Sequence, residues 1–144
     1  MSPIVIDSSA IYAVLCGEED GVFHLKAIKR ARGLMISAMT AFESRTVMLR
    51  RFGMSKVWEL DAFIDETSTQ IMPFDEAQAG IAFTAYGRYG RGSGHRAQLN
   101  YGDCAAYALS RSADAPLLFK GQDFIHTDII AALPLLVPEA GISQ

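Results

Sequence analysis

Cysteine is scarce in this chain of 144 residues: Cys16 and Cys104 are the only two. They lie far apart, outside any C-x-x-C spacing, and read as buried reduced thiols. The three histidines, His24, His95 and His126, have no zinc spacing and fit surface or core positions better than ligand positions. No apolar run approaches the ~18 residues that span a membrane. The opening stretch MSPIVIDSSAIYAV is interrupted by Asp7 and carries no basic n-region, so no secretory signal is expected. Internal repeats, low-complexity tracts and linkers are also missing, and the expectation is one domain over residues 1–144, in the cytoplasm. The motif GRGSG (90–94) is neither a P-loop nor a GxGxxG following a strand. No GxSxG occurs, Ser8 and Ser9 have no evident histidine partner, and Ser9 breaks the DxD pattern that a phosphoacceptor Asp7 would need.

Net charge is small too, −3, which argues against a protein that simply coats nucleic acid. Its distribution is uneven. Lys26, Lys29, Arg30, Arg32, Arg45, Arg50, Arg51 and Lys56 share their stretch with a single acid, Glu43. Arg88, Arg91, His95 and Arg96 form a second basic segment, while acids crowd residues 59–76. Such surfaces either hold a polyanion or are ordinary solvated helix faces.

Half of the residues are hydrophobic, enough for a substantial core. Short apolar runs at 3–7, 34–37, 70–74 and 116–120, with a possible fifth at 133–138, read as strands. Helical segments at 8–16, 22–32, 40–53, 55–66 and 75–90, and one opening at Gly102, alternate with them. The segment 91–98 is a loop with nothing to bury. This alternation predicts an α/β fold with a mainly parallel sheet of four to five strands covered on both faces.

Acids stand where strands end. Asp7 closes the first strand, Glu43 follows the second by one helical turn, Asp103 opens the helix before the fourth, and Asp123 follows the fourth. Ligands of open α/β sheets bind beyond the carboxyl ends of the strands. Each acid also has a purely structural reading. Asp7 can cap the next helix, TAFE can form a capping box with Thr40 as N-cap and Glu43 at N3, Asp103 suits a helix N-terminus, and Asp123 suits a turn. Together, however, several carboxylates in one place repel one another, and either protons or a divalent cation must relieve them. An all-oxygen donor set points to magnesium or manganese.

The strand-end Asp followed by SSAIYAVL, the helix SAMTAFESRTVM, LNYGDCAAYALSR and PLLFKGQDFIHTDI together resemble the VapC-type toxins of the PIN-domain ribonuclease family, over about residues 1–133. The resemblance implies a three-layer α/β/α fold and a Mg²⁺- or Mn²⁺-dependent endoribonuclease of a toxin–antitoxin module. Its acidic site maps onto Asp7, Glu43, Asp103 and Asp123; Gln122 stands where many relatives carry Asp or Asn, and Asp128 is expected to cap a helix. The implied partners are a VapB-type antitoxin, RNA and a second copy of the chain, with the helices around 40–66 as the candidate contact. RNA needs a cationic surface, for which Arg45, Arg50, Arg51, Arg88, Arg91 and Arg96 are candidates. A DNA nuclease on the same fold, or a non-catalytic RNA- or protein-binding module, are the competing readings.

Overall fold

The computed structural model describes residues 3–133. Strands β1 (Ile4–Ile6), β2 (Leu34–Ser37), β3 (Gln70–Met72) and β4 (Leu117–Leu118) form one sheet in the order β3-β2-β1-β4. All pairings are parallel: Ile4 lies opposite Leu34, Val5 opposite Leu117, and Ile36 opposite Ile71. Parallel neighbours need crossovers, and these are helical. Helices α1 (Ser8–Leu15) and α2 (Gly21–Arg30) join β1 to β2, and α3 (Ala38–Phe52) with α4 (Met54–Glu66) join β2 to β3. Helices α5 (Glu76–Tyr89) and α6 (Tyr101–Ser112) join β3 to β4.

Side chains alternate across a strand, and β1 uses both directions. Ile4 and Ile6 enter a core with Ile11, Ile28, Met48, Leu60 and Leu118, beneath α1 to α4. Val5 points the other way, into a core with Leu99, Ala106, Leu109, Leu117 and Phe124, beneath α5 and α6. The result is three layers, with β1 buried throughout. Alanines 105, 106 and 108 let α6 lie close to the sheet, and most of that helix is buried. The fifth strand expected at 133–138 falls, beyond Leu133, outside the described residues. Just before it, Ala131 makes a parallel bridge to Leu117. The loop at 91–98 is present, but it does bury something: Ala97 is 5% exposed, and Gly90 bridges Leu99 to close the loop. Cys104 is a buried free thiol, as expected, while Cys16 is only half-buried.

Candidate active site

The carboxyl ends of β1 and β4 lie side by side, and the pairing runs on past β1: the Asp7 amide donates to the Leu118 carbonyl at 3.0 Å. Asp7 is the N-cap of α1, with extended backbone and 4% exposure. Its Oδ2 accepts from the Ser9 amide at 3.0 Å and from the Ser9 hydroxyl at 2.6 Å. The Ser9 hydroxyl in turn accepts from the Lys120 amide at 2.9 Å. Ser9 therefore ties the ends of both strands to one carboxylate oxygen. Both Ser9 hydrogen bonds to Asp7 fall on the same carboxylate oxygen. Burial raises the Asp7 pKa against the Ser9 hydrogen bonds, and the charge of Asp123 raises it further.

Asp103 sits in the first turn of α6, in a capping box with Asn100. The Asp103 amide donates to Asn100 Oδ1 at 2.8 Å, and the Asn100 amide donates back to Asp103 Oδ2 at 3.0 Å. The helix thus starts at Tyr101, slightly earlier than expected. One oxygen satisfies the helix end and the other is left over. Burial pushes the Asp103 carboxyl up to about 7, opposed by the Asn100 amide and reinforced by the charges of Asp7, Asp123 and Glu43. A carboxylate at a helix N-terminus ordinarily gains from the macrodipole; here desolvation and like charge outweigh that gain.

Glu43 is not the far end of a Thr40 capping box. The N-cap of α3 is Ser37, whose hydroxyl accepts from the Met39 amide at 3.2 Å. Ser37 and Thr40 are both good caps, and β2 pairs through Ser37, which starts the helix there. Glu43 then falls in the second turn, too far along to reach back. Its carboxyl lies against the backbone of Gly102, where a Cβ would overlap both carboxylate oxygens. Burial raises its pKa, and Asp7 adds to the rise. Asp123 lies exposed in the turn after Gly121 (φ +100°), and its charge acts on Asp7 and Asp103.

The four strand-end acids therefore share one region. Among the described residues, no three carboxylate, imidazole or thiol groups are arranged to hold an ion as they stand. Such a cluster can relieve its repulsion by taking up a proton or by closing on a cation. The sequence gives little sign of the supports around it. Ser9 acts through its amide and hydroxyl, Asn100 through its capping box and Gly102 through its missing side chain, and no spacing in the sequence assigns them these roles. Tyr12, one turn along α1 from Ser8, also borders Ser44 and Glu43.

The basic candidates divide. Arg45 is spent: its guanidinium makes a two-pronged pair with Asp61 of α4, at 3.0 and 2.7 Å. Arg50 and Arg51 are exposed in the last turn of α3, Arg51 over the Phe52 ring. Arg88 lies over Tyr89, Arg91 is exposed, and Arg96 meets His126. Among the described residues Asp128 caps no helix; it accepts from the Tyr107 hydroxyl at 2.7 Å, which locks the chain after β4 onto α6.

A parallel three-layer domain with carboxylates gathered at its carboxyl edge is the architecture of a PIN domain, and residues 4–130 match the PIN domain family. A Mycobacterium bovis protein, VapC ribonuclease Mb2780c, is 40% identical over 126 residues, covering 88% of this chain and 96% of the relative. The chain belongs to the VapC type of the PIN-domain family. Two solved structures share the fold. Mycobacterium tuberculosis VapC20, described as a sarcin-ricin loop cleaving toxin, has a TM-score of 0.75 at 16% identity, covering 91% of this chain and 99% of that one. A toxin–antitoxin complex from Klebsiella pneumoniae gives 0.69 at 13% identity, covering 92% of this chain and 99% of the other.

Proposed function

We propose that this protein is an endoribonuclease toxin, held inactive by a cognate antitoxin, that hydrolyses RNA phosphodiesters with a Mg²⁺ or Mn²⁺ ion. One observation carries the reading: Asp7, Glu43 and Asp103, from separate elements, come together at the sheet edge, where burial raises the pKa of each and neighbouring acids add to it, Asp123 for Asp7, Asp7 for Glu43, and all three others for Asp103. Gathered like charges and an all-oxygen donor set fit a hard cation. Asp7 and Asp103 would hold the ion, with Glu43 and Asp123 completing the shell directly or through water. When bound, the ion supplies positive charge for the phosphate oxygens and acidifies water.

The chain's own residues do the rest. Ser9 holds Asp7 Oδ2 with two donors, which fixes the carboxylate in place before a ligand arrives. The capping box holds Asp103 in the same way, and Gly102 leaves room for Glu43. An antitoxin could occupy the acidic pocket with an arginine, through charge-assisted hydrogen bonds to the same carboxylates. Exposed Phe42, Leu49, Phe52, Met54 and Trp58 on α3 and α4 are the surface that a partner chain, antitoxin or second copy, would cover. Among the described residues no helix is long and apolar enough to cross a membrane; the site of action proposed with the toxin reading is the cytoplasm.

Purified protein should cleave single-stranded RNA with Mg²⁺ or Mn²⁺, leaving 5′-phosphate and 3′-hydroxyl ends, and stop with excess chelator or saturating antitoxin. Sequencing the ends of the products checks both the activity and the attacking group. Equal cleavage of a matched DNA strand would instead favour a DNA nuclease, and no cleavage with either ion a non-catalytic module.

A further inference from the structure

An acidic pocket repels the polyanion it is meant to cut, so a cationic group has to hold the strand beside it. Among the basic candidates Arg96 is distinctive in being tied by a hydrogen bond to a side chain of another segment without being neutralised, whereas Arg51 and Arg88 lie over the rings of their own chain neighbours. Arg45 is paired with Asp61, Lys120 with Glu18 and Asp20, and Arg111 lies 3.8 Å from Asp128. Arg96 makes no ion pair among the described residues. Its Nη2 lies 3.1 Å from Nδ1 of His126. A guanidinium only donates, so Nδ1 must accept, which leaves the imidazole proton on Nε2. The pair then presents further guanidinium N–H groups, an imidazole N–H and a full positive charge, with no acid among the described residues paired to them.

Both halves are braced. On the Arg96 side, the Leu99 amide donates to the Tyr89 carbonyl at 2.9 Å and the Arg91 amide to the Leu99 carbonyl at 3.0 Å. The Ala97 amide donates to His95 Nδ1 at 3.0 Å, and the His95 ring stands edge-on to Tyr89. On the His126 side, Thr127 donates to the Phe124 carbonyl at 2.7 Å, and Phe124 is buried against Phe119. These two segments also deliver the acids: the first runs into Asn100 and Asp103, and the second begins at Asp123.

We propose that Arg96 and His126, joined from the α5–α6 loop and the turn after β4, form a clip for a backbone phosphate of the RNA strand lying across the acidic pocket. The proposal rests on the nuclease reading above. Phosphate contacts of this kind position a strand without reading its sequence. Two donors fixed relative to the acids would set the register of the scissile bond.

The test is binding of a fluorescently labelled single-stranded RNA, by anisotropy, to the full-length Asp103→Asn protein, which does not consume the probe. Adding Arg96→Ala, or His126→Ala, should weaken binding about five- to tenfold. The two together should do little more, because they act as one unit. Arg96→Ala should also flatten the slope of log affinity against log salt by about 0.7, one phosphate contact on a single strand. Arg30→Ala, which removes an exposed charge on α2, controls for net charge and should shift binding less than twofold. In otherwise unmodified protein, Arg96→Ala should raise KM more than it lowers kcat. Undiminished RNA binding in both variants, or losses no larger than that of Arg30→Ala, would overturn the clip. Weakened capture of antitoxin with undiminished RNA binding would also overturn it, by assigning the pair to the protein partner. Absence of cleavage by the unmodified protein would count against the nuclease reading and leave the binding comparison to decide the clip.

Discussion

Asp103→Asn is expected to lower metal-dependent RNA cleavage on the order of a thousandfold while leaving the fold intact. Asparagine keeps the volume, and its side-chain oxygen can still accept from the Asn100 amide, as Asp103 Oδ2 does at 3.0 Å. The helix end therefore survives and only the charge is lost. Stability should move the other way. The Asp103 carboxyl is raised from 3.8 to about 7 in the folded protein, so the folded chain holds a proton that the unfolded chain releases. That contribution is complete below about pH 4 and is lost as pH rises through about 7. The metal-free wild type should thus be less stable at pH 8 than at pH 5. For this half-buried group the difference is about 2 kcal/mol after allowance for solvent screening. Asp103→Asn should melt higher than the wild type at pH 8 and show a weaker pH dependence. Circular dichroism melts checked against RNA-cleavage rates separate the two effects; a folded variant with near-normal turnover would remove Asp103 from the site.

Gly102→Ala should cost roughly a hundredfold in cleavage at almost no cost in stability. The new Cβ meets the Glu43 carboxyl, the far end of a flexible side chain, which can swing away cheaply. Alanine is also the better helix former by about 1 kcal/mol, so the melting temperature should hold or rise. If the loss comes from displacing Glu43, the double variant Gly102→Ala/Glu43→Gln should be hardly worse than Gly102→Ala alone. Multiplicative losses in the double variant would show that Gly102 acts by some route other than Glu43.

The layers of the fold are legible because their signals are local and periodic. LMIS at 34–37 is a strand in both the sequence and the structure, since a continuous apolar run between helical segments has little else to become. Asp7 and Asp103 are legible for a different reason: both lie at the start of a helix that follows or precedes a strand, and strand ends in parallel sheets converge. Helix starts are less secure. Ser37 and Thr40 are both competent N-caps three residues apart, and the choice was made by how far β2 pairs with β3, a tertiary fact. That shift turned Glu43 from a capping residue into one that faces Gly102.

Long-range partners were not legible at all. The pairing of Arg45 with Asp61 needs α3 and α4 to be antiparallel neighbours in one particular rotation. Asp128 is a capping residue by type, yet it meets Tyr107 across 21 positions. The Arg96–His126 contact spans 30 positions, and no spacing rule points to it. Gly102 is the instructive case. A glycine before a helical run reads as a boundary, whereas its service here is to leave a neighbouring element's carboxyl room.

The gathering of carboxylates around one hard ion is tested most directly by titrating Mn²⁺ into the purified protein in a calorimeter, with neither RNA nor antitoxin present. At pH 8 the protein should take up the ion. At pH 5 uptake should be markedly weaker, because the ion must then displace the proton that Asp103 holds below about 7, and the variant carrying both Asp7→Asn and Asp103→Asn should take up none. No uptake at pH 8, or uptake that this variant leaves unchanged, would contradict the account.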